Sequence, residues 1–270
     1  MSHTFAGALR RHFPRAVLFC LAAHALPGLA LQPLITDDTG TQGAAANQLE
    51  FSFSEDREKT VGERVRVQTL PFVYARGLSE SVDVYAGMGF SRIRASVAGM
   101  ASSGYGNPII GAKWRFYENE ASGSSLAVKP EVIFPVSAAR EDSGLGTGKT
   151  SGNLTFILTQ EVPFGAVHLN LGGGRDRYRD SQSNPDTTTW RASLAPVWEV
   201  SEQWKLALDV GTESARATER AVRANYAELG AIYSPGKDLD LALGCVRRAD
   251  NASPHVTTNT VTAGLTWRFQ

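Results

Sequence analysis

After about residue 46, hydrophobic and polar residues alternate in one segment after another. In the last segment, one face carries Val261, Ala263, Leu265, Trp267 and Phe269, and the other carries Thr260, Thr262, Gly264, Thr266 and Arg268. Successive side chains of a β-strand point to opposite sides, so such a segment has one apolar and one polar face. The alternation therefore predicts amphipathic β-strands.

Twelve segments follow this pattern, and most are longer than ordinary globular strands, which average about five or six residues. The predicted strands are residues 47–54, 65–76, 82–94, 107–118, 125–136, 151–162, 166–178, 187–200, 204–213, 224–233, 239–247 and 257–269. A tilted strand needs roughly nine to eleven residues to cross a bilayer, so their length favours a membrane barrel.

The predicted connections alternate between short and long. Short connections rich in Gly, Pro, Ser or Asn fall at residues 77–81, 119–124, 163–165, 201–203 and 234–238, and longer polar ones at 55–64, 95–106, 137–150, 179–186, 214–223 and 248–256. Outer-membrane barrels have short periplasmic turns and longer extracellular loops. We therefore expect an all-β, antiparallel, up-and-down transmembrane barrel of about twelve strands, with both ends in the periplasm.

The polar faces carry charges that should avoid lipid, because an Arg or Lys at the bilayer midplane costs about 2–4 kcal/mol. We expect the following polar residues to line the lumen: Lys113, Arg115, Lys129, Glu131, His168, Asn170, Arg191, Glu199, Lys205, Asp209, Asp240 and Arg268. They are the candidates for transport, since lumen charges set selectivity. The alternative is that they form ion pairs that stiffen the barrel.

Two predicted strands have apolar residues on both faces. In residues 65–76, Val65, Val67 and Val73 lie opposite Leu70, Phe72 and Tyr74, and in residues 224–233, Tyr226 and Ile232 lie opposite Leu229 and Tyr233. A β-bulge or an inner face covered by other parts of the protein would explain the first pattern.

The first thirty residues have the features of a signal peptide: Arg10, Arg11 and Arg15, an apolar stretch at 16–26, and small residues before Ala30. We expect export with cleavage after Ala30, a periplasmic lead-in at residues 31–46, and the barrel at 47–270. Cleavage removes three of the 27 basic residues and none of the 27 acidic ones, leaving 24 against 27. This balance argues against a nucleic-acid partner. Only one cysteine then remains, so no intrachain disulfide can form.

Two stretches resemble a known family. The entry stretch PLITDDTGTQGAAANQLE at residues 33–50 and the run from Lys129 to Gly174, with a strand ending in Pro, a Gly-rich loop, a strand, a tight turn and a His-Leu-Asn strand, are similar to bacterial outer-membrane proteins named for a MetA pathway of phenol degradation. The resemblance implies an outer-membrane barrel that transports aromatic compounds. Two features depart from it: Val136 and Ser137 replace the usual Thr-Gly, and Gln270 follows the terminal aromatic residue.

Candidate chemical sites are weak. The run GLGTGKT at residues 144–150 has three residues between its glycines where a phosphate-binding loop needs four, and a strand follows it, so an outer loop, folded into the pore in one reading, is expected. His168 is expected near the periplasmic side with no serine beside it, and His255 in an outer loop. Asp37 and Asp38 could bind a cation or lie across the periplasmic mouth, against the simpler interpretation as a polar lead-in.

We therefore predict a channel or transporter for passive passage of small molecules, with no enzymatic activity, no cofactor and no metal. The alternatives are a barrel enzyme acting on envelope lipids and a plugged structural barrel. The expected partners are outer-membrane lipid, lipopolysaccharide, the barrel-assembly machinery and small solutes. The charged run at residues 55–64 is expected to be a solvated outer loop, and the alternative is that its mixed charges contact lipopolysaccharide through bridging divalent ions.

Overall fold

The structure, a computed structural model, describes residues 32–96, 101–180, 182, 184–217 and 221–270. The expected signal peptide lies outside these residues. The strands are β1 (Asn47–Thr60), β2 (Glu63–Ser79), β3 (Val82–Ala95), β4 (Ala101–Tyr105), β5 (Ile109–Asn119), β6 (Ser124–Ile133), β7 (Ser151–Val162), β8 (Gly165–Asp176), β9 (Thr187–Glu199), β10 (Trp204–Arg216), β11 (Ala221–Gly236), β12 (Leu239–Asp250) and β13 (Thr257–Phe269). One short helix, α1 (Ala138–Asp142), precedes β7.

The strands form one closed antiparallel barrel. β1 pairs with both β2 and β13, neighbours in sequence pair around the wall, and β2 pairs with β3 to close it. β4 and β5 both pair with β3, β4 opposite its second half and β5 opposite its first, so together they occupy one strand position. The barrel therefore has the predicted twelve positions, built from thirteen strands of the described chain.

The two ends of the barrel differ in their connections. Five connections on one side span two to four residues, as between β2 and β3 or β7 and β8, and this is the periplasmic side of such barrels. On the other side, the connection from β6 to β7 is the longest and contains α1. Among the described residues, no helix is long and apolar enough to cross a membrane.

Two predicted loops were wrong in detail. Residues 55–64 were expected to be an outer loop, but β1 and β2 extend through them to a turn at Val61 and Gly62, where Gly62 has a φ of +78°. The alternation continues there, with Asp56 and Glu58 buried inside and the basic residues outside, so the charges did not end the strands. Residues 95–106 were likewise expected to be loop but contain β4.

The outer wall is apolar. Exposed side chains on it include Ile110, Trp114, Val132, Trp190, Leu194, Leu206 and Val210. Near the periplasmic ends, Trp198 stacks on Phe164 with ring centroids 5.7 Å apart, and Trp204 lies 4.9 Å from Tyr233. Aromatic rings at this level suit the interface between lipid and water. The exterior is thus a lipid-facing belt with an aromatic border.

β2 has apolar residues on both faces because another part of the protein covers its inner face, and residues 65–76 contain no β-bulge. Its pairing with β1 keeps one register from Phe51–Phe72 to Ser54–Thr69. Inside the barrel, Val65 and Val67 pack with Ile93 and with Leu145 of the loop at residues 137–150. Leu145 is therefore folded into the lumen from the extracellular side. In β11, Tyr226 and Ile232 are likewise buried inside.

Residues 32–46, ahead of β1, form a segment that we call the plug. It runs from Gln32 in the lumen down to the periplasmic mouth, where Ala45 N donates to Gly77 O over 3.0 Å and Gly77 N donates to Ala46 O over 2.9 Å. Leu34, Thr36 and Asp37 are each at most 2% exposed. The plug therefore fills the periplasmic half of the barrel.

Candidate functional site

Asp37 is the centre of the polar network between plug and wall. Its two carboxylate oxygens accept hydrogen bonds from Lys113 Nζ and Lys129 Nζ, both over 2.8 Å. Asn170 holds the backbone of the same residue: Asp37 N donates to Asn170 Oδ1, and Asn170 Nδ2 donates to Asp37 O, each over 2.8 Å. Side chains from three strands thus converge on one plug residue in a buried, low-dielectric position, where ion pairs interact strongly.

A second anchor lies one residue earlier. Thr36 N donates to Asp209 Oδ2 over 2.7 Å, and Thr36 Oγ1 lies 2.8 Å from Asp209 Oδ1 and 2.7 Å from Ser193 Oγ. Tyr226 OH also donates to Asp209 Oδ1, over 3.1 Å. Asp209 is fully buried, and these donors supply the hydrogen bonds that a buried carboxylate requires.

The lower part of the plug is held by weaker contacts. Thr39 N donates to Thr159 Oγ1 over 3.1 Å, and Thr159 Oγ1 lies 2.9 Å from Nδ1 of His168. Gln42 N lies 3.1 Å from both carboxylate oxygens of Asp83. Hydrogen bonds to the plug therefore follow it from mid-barrel to the mouth.

Asp38 faces Lys113 at 3.6 Å between Oδ1 and Nζ. Burial raises the pKa of the Asp38 carboxyl, but attraction to the charge of Lys113 and the hydrogen bond from Gly40 N outweigh it, so the pKa lies below its usual range. Asp38 is therefore ionised at neutral pH. Among the described residues, no group of three or more His, Cys, Asp or Glu side chains is placed to hold a metal ion.

Glycines in the wall make room for the plug. A Cβ on Gly77 would lie 1.7 Å from the backbone oxygen of Gly43, and a Cβ on Gly264 would lie 1.8 Å from Oε1 of Gln32. Gly230 and Gly244, which face each other on β11 and β12, leave space for Pro33 and Leu34. The plug thus lies in a groove of the inner wall that these four glycines form, which we call the trough, and larger side chains there would fill it.

A cavity of about 340 Å³ lies between the plug and the loop at residues 137–150, both of which line it. One wall, from β2, β5, β6 and the loop, carries the apolar side chains of Val67, Ile109, Ile133 and Leu145, and β6 adds Lys129 and Glu131 on the same side. The opposite wall is polar and includes Arg191, Glu213, Arg248, Thr260 and Thr262, from β9 to β13. The cavity therefore has two chemically different sides.

An ion-pair cluster stands on the polar wall. Arg191 Nε lies 2.7 Å from Glu213 Oε1, and Arg248 Nη2 lies 3.3 Å from Glu213 Oε2. The Arg248 guanidinium also lies 5.9 Å from the ring centre of Tyr226. One buried carboxylate thus fixes two guanidinium groups at the edge of the cavity.

The twelve sequence-predicted residues divide into three groups. Lys113, Lys129, His168, Asn170 and Asp209 converge on the plug, directly or through Thr159. Glu131 accepts a hydrogen bond from Tyr85 OH over 2.9 Å, and Arg191 belongs to the cluster above. The remaining residues form pairs near the periplasmic ends of their strands: Arg115–Glu118 (3.3 Å), Lys205–Glu199 (3.0 Å) and Arg268–Asp240 (2.6 Å). Their role in transport stays a prediction.

Four of those twelve residues line the cavity: Lys129, Glu131, Asn170 and Arg191. Sequence reasoning missed Glu213 and Arg248, which line it too. Glu213 ends the predicted strand at residues 204–213 and shares the inward parity of Asp209, so parity alone would have found it. Arg248 shares the parity of Asp240 and lies one residue beyond the predicted strand at residues 239–247. The anchoring role of Thr36 had no signal in the alternation, because the plug is not a strand.

Comparisons with known proteins agree with this architecture. The sequence model of the family described as "Putative MetA-pathway of phenol degradation" matches residues 36–269. No curated protein sequence matches the chain. The matched region begins inside the plug at Thr36 and therefore covers most of the plug as well as the barrel.

Several solved structures share the fold. The COG4313 outer membrane channel from Pseudomonas putida F1 is 15% identical, with a TM-score of 0.68, and the match covers 87% of this chain and all of that one. The β domain of the Bordetella autotransporter BrkA is 15% identical (TM-score 0.56; 83% and 100% covered). The translocator domain of autotransporter NalP from Neisseria meningitidis is 13% identical (TM-score 0.53; 86% and 91% covered). With the apolar exterior, this fold places the chain in the Gram-negative outer membrane.

Proposed function

Because the chain belongs to the family described as "Putative MetA-pathway of phenol degradation", we propose that it is an outer-membrane channel for small molecules with an aromatic or otherwise apolar body and a polar substituent. The observation that carries this proposal is the two-sided cavity. Its apolar wall suits a ring, and the hydroxyls and ion-pair cluster of the opposite wall suit a hydroxyl group. The fold alone is shared with autotransporter domains and does not identify the cargo.

Passage requires the plug to move, because in this structure it fills the periplasmic half of the lumen. Apart from Leu34, which packs against Ala195, Val197 and Ala207, its anchors are polar contacts that water can replace once the network opens, so the channel exchanges between a closed and an open state. Selectivity then arises from the cavity walls, with no bond made or broken in the solute.

Passage is favoured over catalysis by the surroundings of the histidines. His168 is 4% exposed, faces the plug and is hydrogen-bonded to Thr159. His255 is exposed and lies 3.3 Å from Asp250 and 3.4 Å from Thr257. Among the described residues, the polar partners of the two rings are Thr159, Thr257 and Asp250, and neither ring is paired with a serine nucleophile at the lipid-facing wall.

The test is uptake by proteoliposomes of solutes that do not cross lipid unaided: a phenyl glycoside, a disaccharide of similar mass and an aromatic sulfonate. The expected order is the neutral aromatic solute first, with both others several-fold slower. Equal rates for the phenyl glycoside and the disaccharide would overturn the proposed preference. No uptake of any solute would favour a plugged structural barrel.

A cysteine pair tests the movement of the plug. Thr36 Oγ1 lies 2.7 Å from Ser193 Oγ, so T36C/S193C is placed to form a disulfide between plug and wall. With C245S added to remove the exposed native thiol, uptake should stop under oxidation and return on reduction. The single variant T36C/C245S is the control, and it should be insensitive to the redox state.

A further inference from the structure

The outer wall of β1, β2 and β3 changes abruptly from apolar to basic. Toward the extracellular end, Arg57, Arg66 and Arg94 lie side by side in one cross-strand row. The next row outward carries Lys59 and Arg64, and Arg92 lies one row below the three arginines. We call these six residues the basic patch. The side chains of its lysine and five arginines all point away from the lumen, and all six residues are exposed.

The patch has little internal compensation. Glu55 is the one acidic side chain that the pairing register places among these rows, and it already contacts Arg57 (2.7 Å), Arg66 (3.7 Å) and Gln68 (2.8 Å). The neighbouring residues 97–100 contain no charged residue in the sequence. Like charges directly opposite each other destabilise a sheet, so bound anions would relieve this repulsion.

The rows just below the patch are lipid-facing. Phe53, Leu70 and Phe90 form one row, and Phe51, Phe72 and Met88 form the next. Same-face rows are two residues apart, about 6.6 Å along the strand, so the three arginines lie about 13 Å from the row of Phe53, Leu70 and Phe90. The row between them carries Glu55, Gln68 and Arg92. A ligand that covers both surfaces must have acyl chains joined directly to anionic groups.

We propose that the basic patch binds the phosphate groups of lipopolysaccharide in the outer leaflet, with its acyl chains packed on the apolar rows below. The patch is at the extracellular end, where that leaflet's headgroups lie. Arginine suits this ligand because its planar guanidinium donates two parallel hydrogen bonds to a phosphate. The contact is direct, whereas a mixed-charge loop would need bridging divalent ions.

The opposite side of the barrel supplies a matched comparison. Arg175 and Arg177 also point outward near the extracellular end, but Asp186 lies 3.4 Å from the first and 3.8 Å from the second. Their charge is therefore partly neutralised within the protein. A general attraction between basic side chains and anionic lipid would involve both sites, and a specific site would involve the patch alone.

The experiment is native mass spectrometry of the full chain, purified in detergent, stripped of lipid and titrated with rough lipopolysaccharide. The variants are R66Q/R94Q in the patch and R175Q/R177Q as the control. Each should first show the heat-dependent gel mobility of a folded barrel. The apparent affinity should fall by about tenfold to thirtyfold in R66Q/R94Q and stay within about twofold in R175Q/R177Q.

Two further arms use the unaltered protein, so the test does not depend on the folding of any variant. Dephosphorylated lipopolysaccharide should bind at least tenfold more weakly than the phosphorylated form. Millimolar inorganic phosphate should compete poorly, since it lacks acyl chains. Equal losses in the two variants, equal affinity for the dephosphorylated glycolipid, or full competition by inorganic phosphate would each overturn the proposal.

Discussion

The two halves of the lumen are closed by different kinds of interaction. In the periplasmic half, the plug is fixed by buried ion pairs and hydrogen bonds, with Asp37 between two lysines. In the extracellular half, the loop at residues 137–150 packs Leu145 against Val65, Val67 and Ile93, is hydrogen-bonded at Thr147, and leaves a cavity beneath it. Removing one partner from a buried polar network leaves the other members unsatisfied, whereas truncating an apolar side chain leaves a cavity. We therefore expect the plug to control the opening of the lumen, while the loop covers the cavity.

The largest effect is expected from D37A. Removing one member of a buried ion pair leaves uncompensated charge and typically costs about 3–5 kcal/mol. Here both Lys113 and Lys129 would lose the carboxylate, so the equilibrium between closed and open states should shift by a factor on the order of 100 or more. Planar-bilayer recordings should show a large rise in the fraction of time spent at high conductance.

An unchanged open fraction in D37A, with the barrel folded, would mean that the plug is not the closing element. The variant K113M/K129M/D37L/D38N tests the same idea from the other direction, with D38N included because Asp38 lies 3.6 Å from Lys113. It replaces the ion pairs by apolar contacts and should keep the plug closed, since such replacements are often neutral or stabilising.

A smaller effect is expected from G77A. The new Cβ would approach the backbone oxygen of Gly43 to 1.7 Å, so the plug must shift away from β2 and lose its two backbone hydrogen bonds there. G264A is the matched control, because its close contact is with the end of the flexible Gln32 side chain, which can rotate away. Conductance should rise several-fold in G77A and little in G264A; the reverse order would contradict the trough.

L145A should separate the two halves. Truncating a buried leucine costs about 2–5 kcal/mol, and here the loss falls on the packing of the loop against Val65, Val67 and Ile93. The loop should become more sensitive to added protease, while conductance stays low because the plug is intact. If L145A alone opened the pore, the loop would be the gate.

The smallest effect is expected from D240N. Asp240 pairs with Arg268 over 2.6 Å, but their side chains are 16% and 35% exposed and the pair makes no contact with the plug. Partly exposed pairs contribute less than about 1 kcal/mol. Conductance and thermal stability should both remain close to those of the unaltered protein. A clear change in conductance would mean that lumen charges away from the plug also control passage.

The sequence was sufficient for the barrel because alternation is a local property. Each strand reports its own inward and outward faces, and the lipid side must be apolar whatever the neighbours are. The continuation of β1 and β2 through residues 55–64 was missed because charged residues were taken as a loop signal. Arg57 and Lys59 nevertheless keep the outward parity of Phe51, so the period was a better guide than the composition.

The candidate site was harder to predict, because it depends on contacts between distant parts of the chain. Lys113, Asn170 and Asp209 were identified as inward-facing, yet nothing in their strands indicates that they meet at residues 36 and 37. The plug has no periodicity, and its position follows only from the trough of glycines and the partners across the lumen. The parity of a residue along its strand predicts whether its side chain points inward, but it does not identify the group that the side chain contacts.

The direction in which the plug runs has a practical consequence for handling the protein. Gln32 lies inside the barrel and the chain leaves through the periplasmic mouth, so an affinity tag joined just ahead of residue 32 would have to be accommodated within the lumen. Such a fusion would compete with solute for the cavity or pull the segment out. A tag after Gln270, which is exposed at the end of β13, avoids both artefacts and leaves transport measurements interpretable.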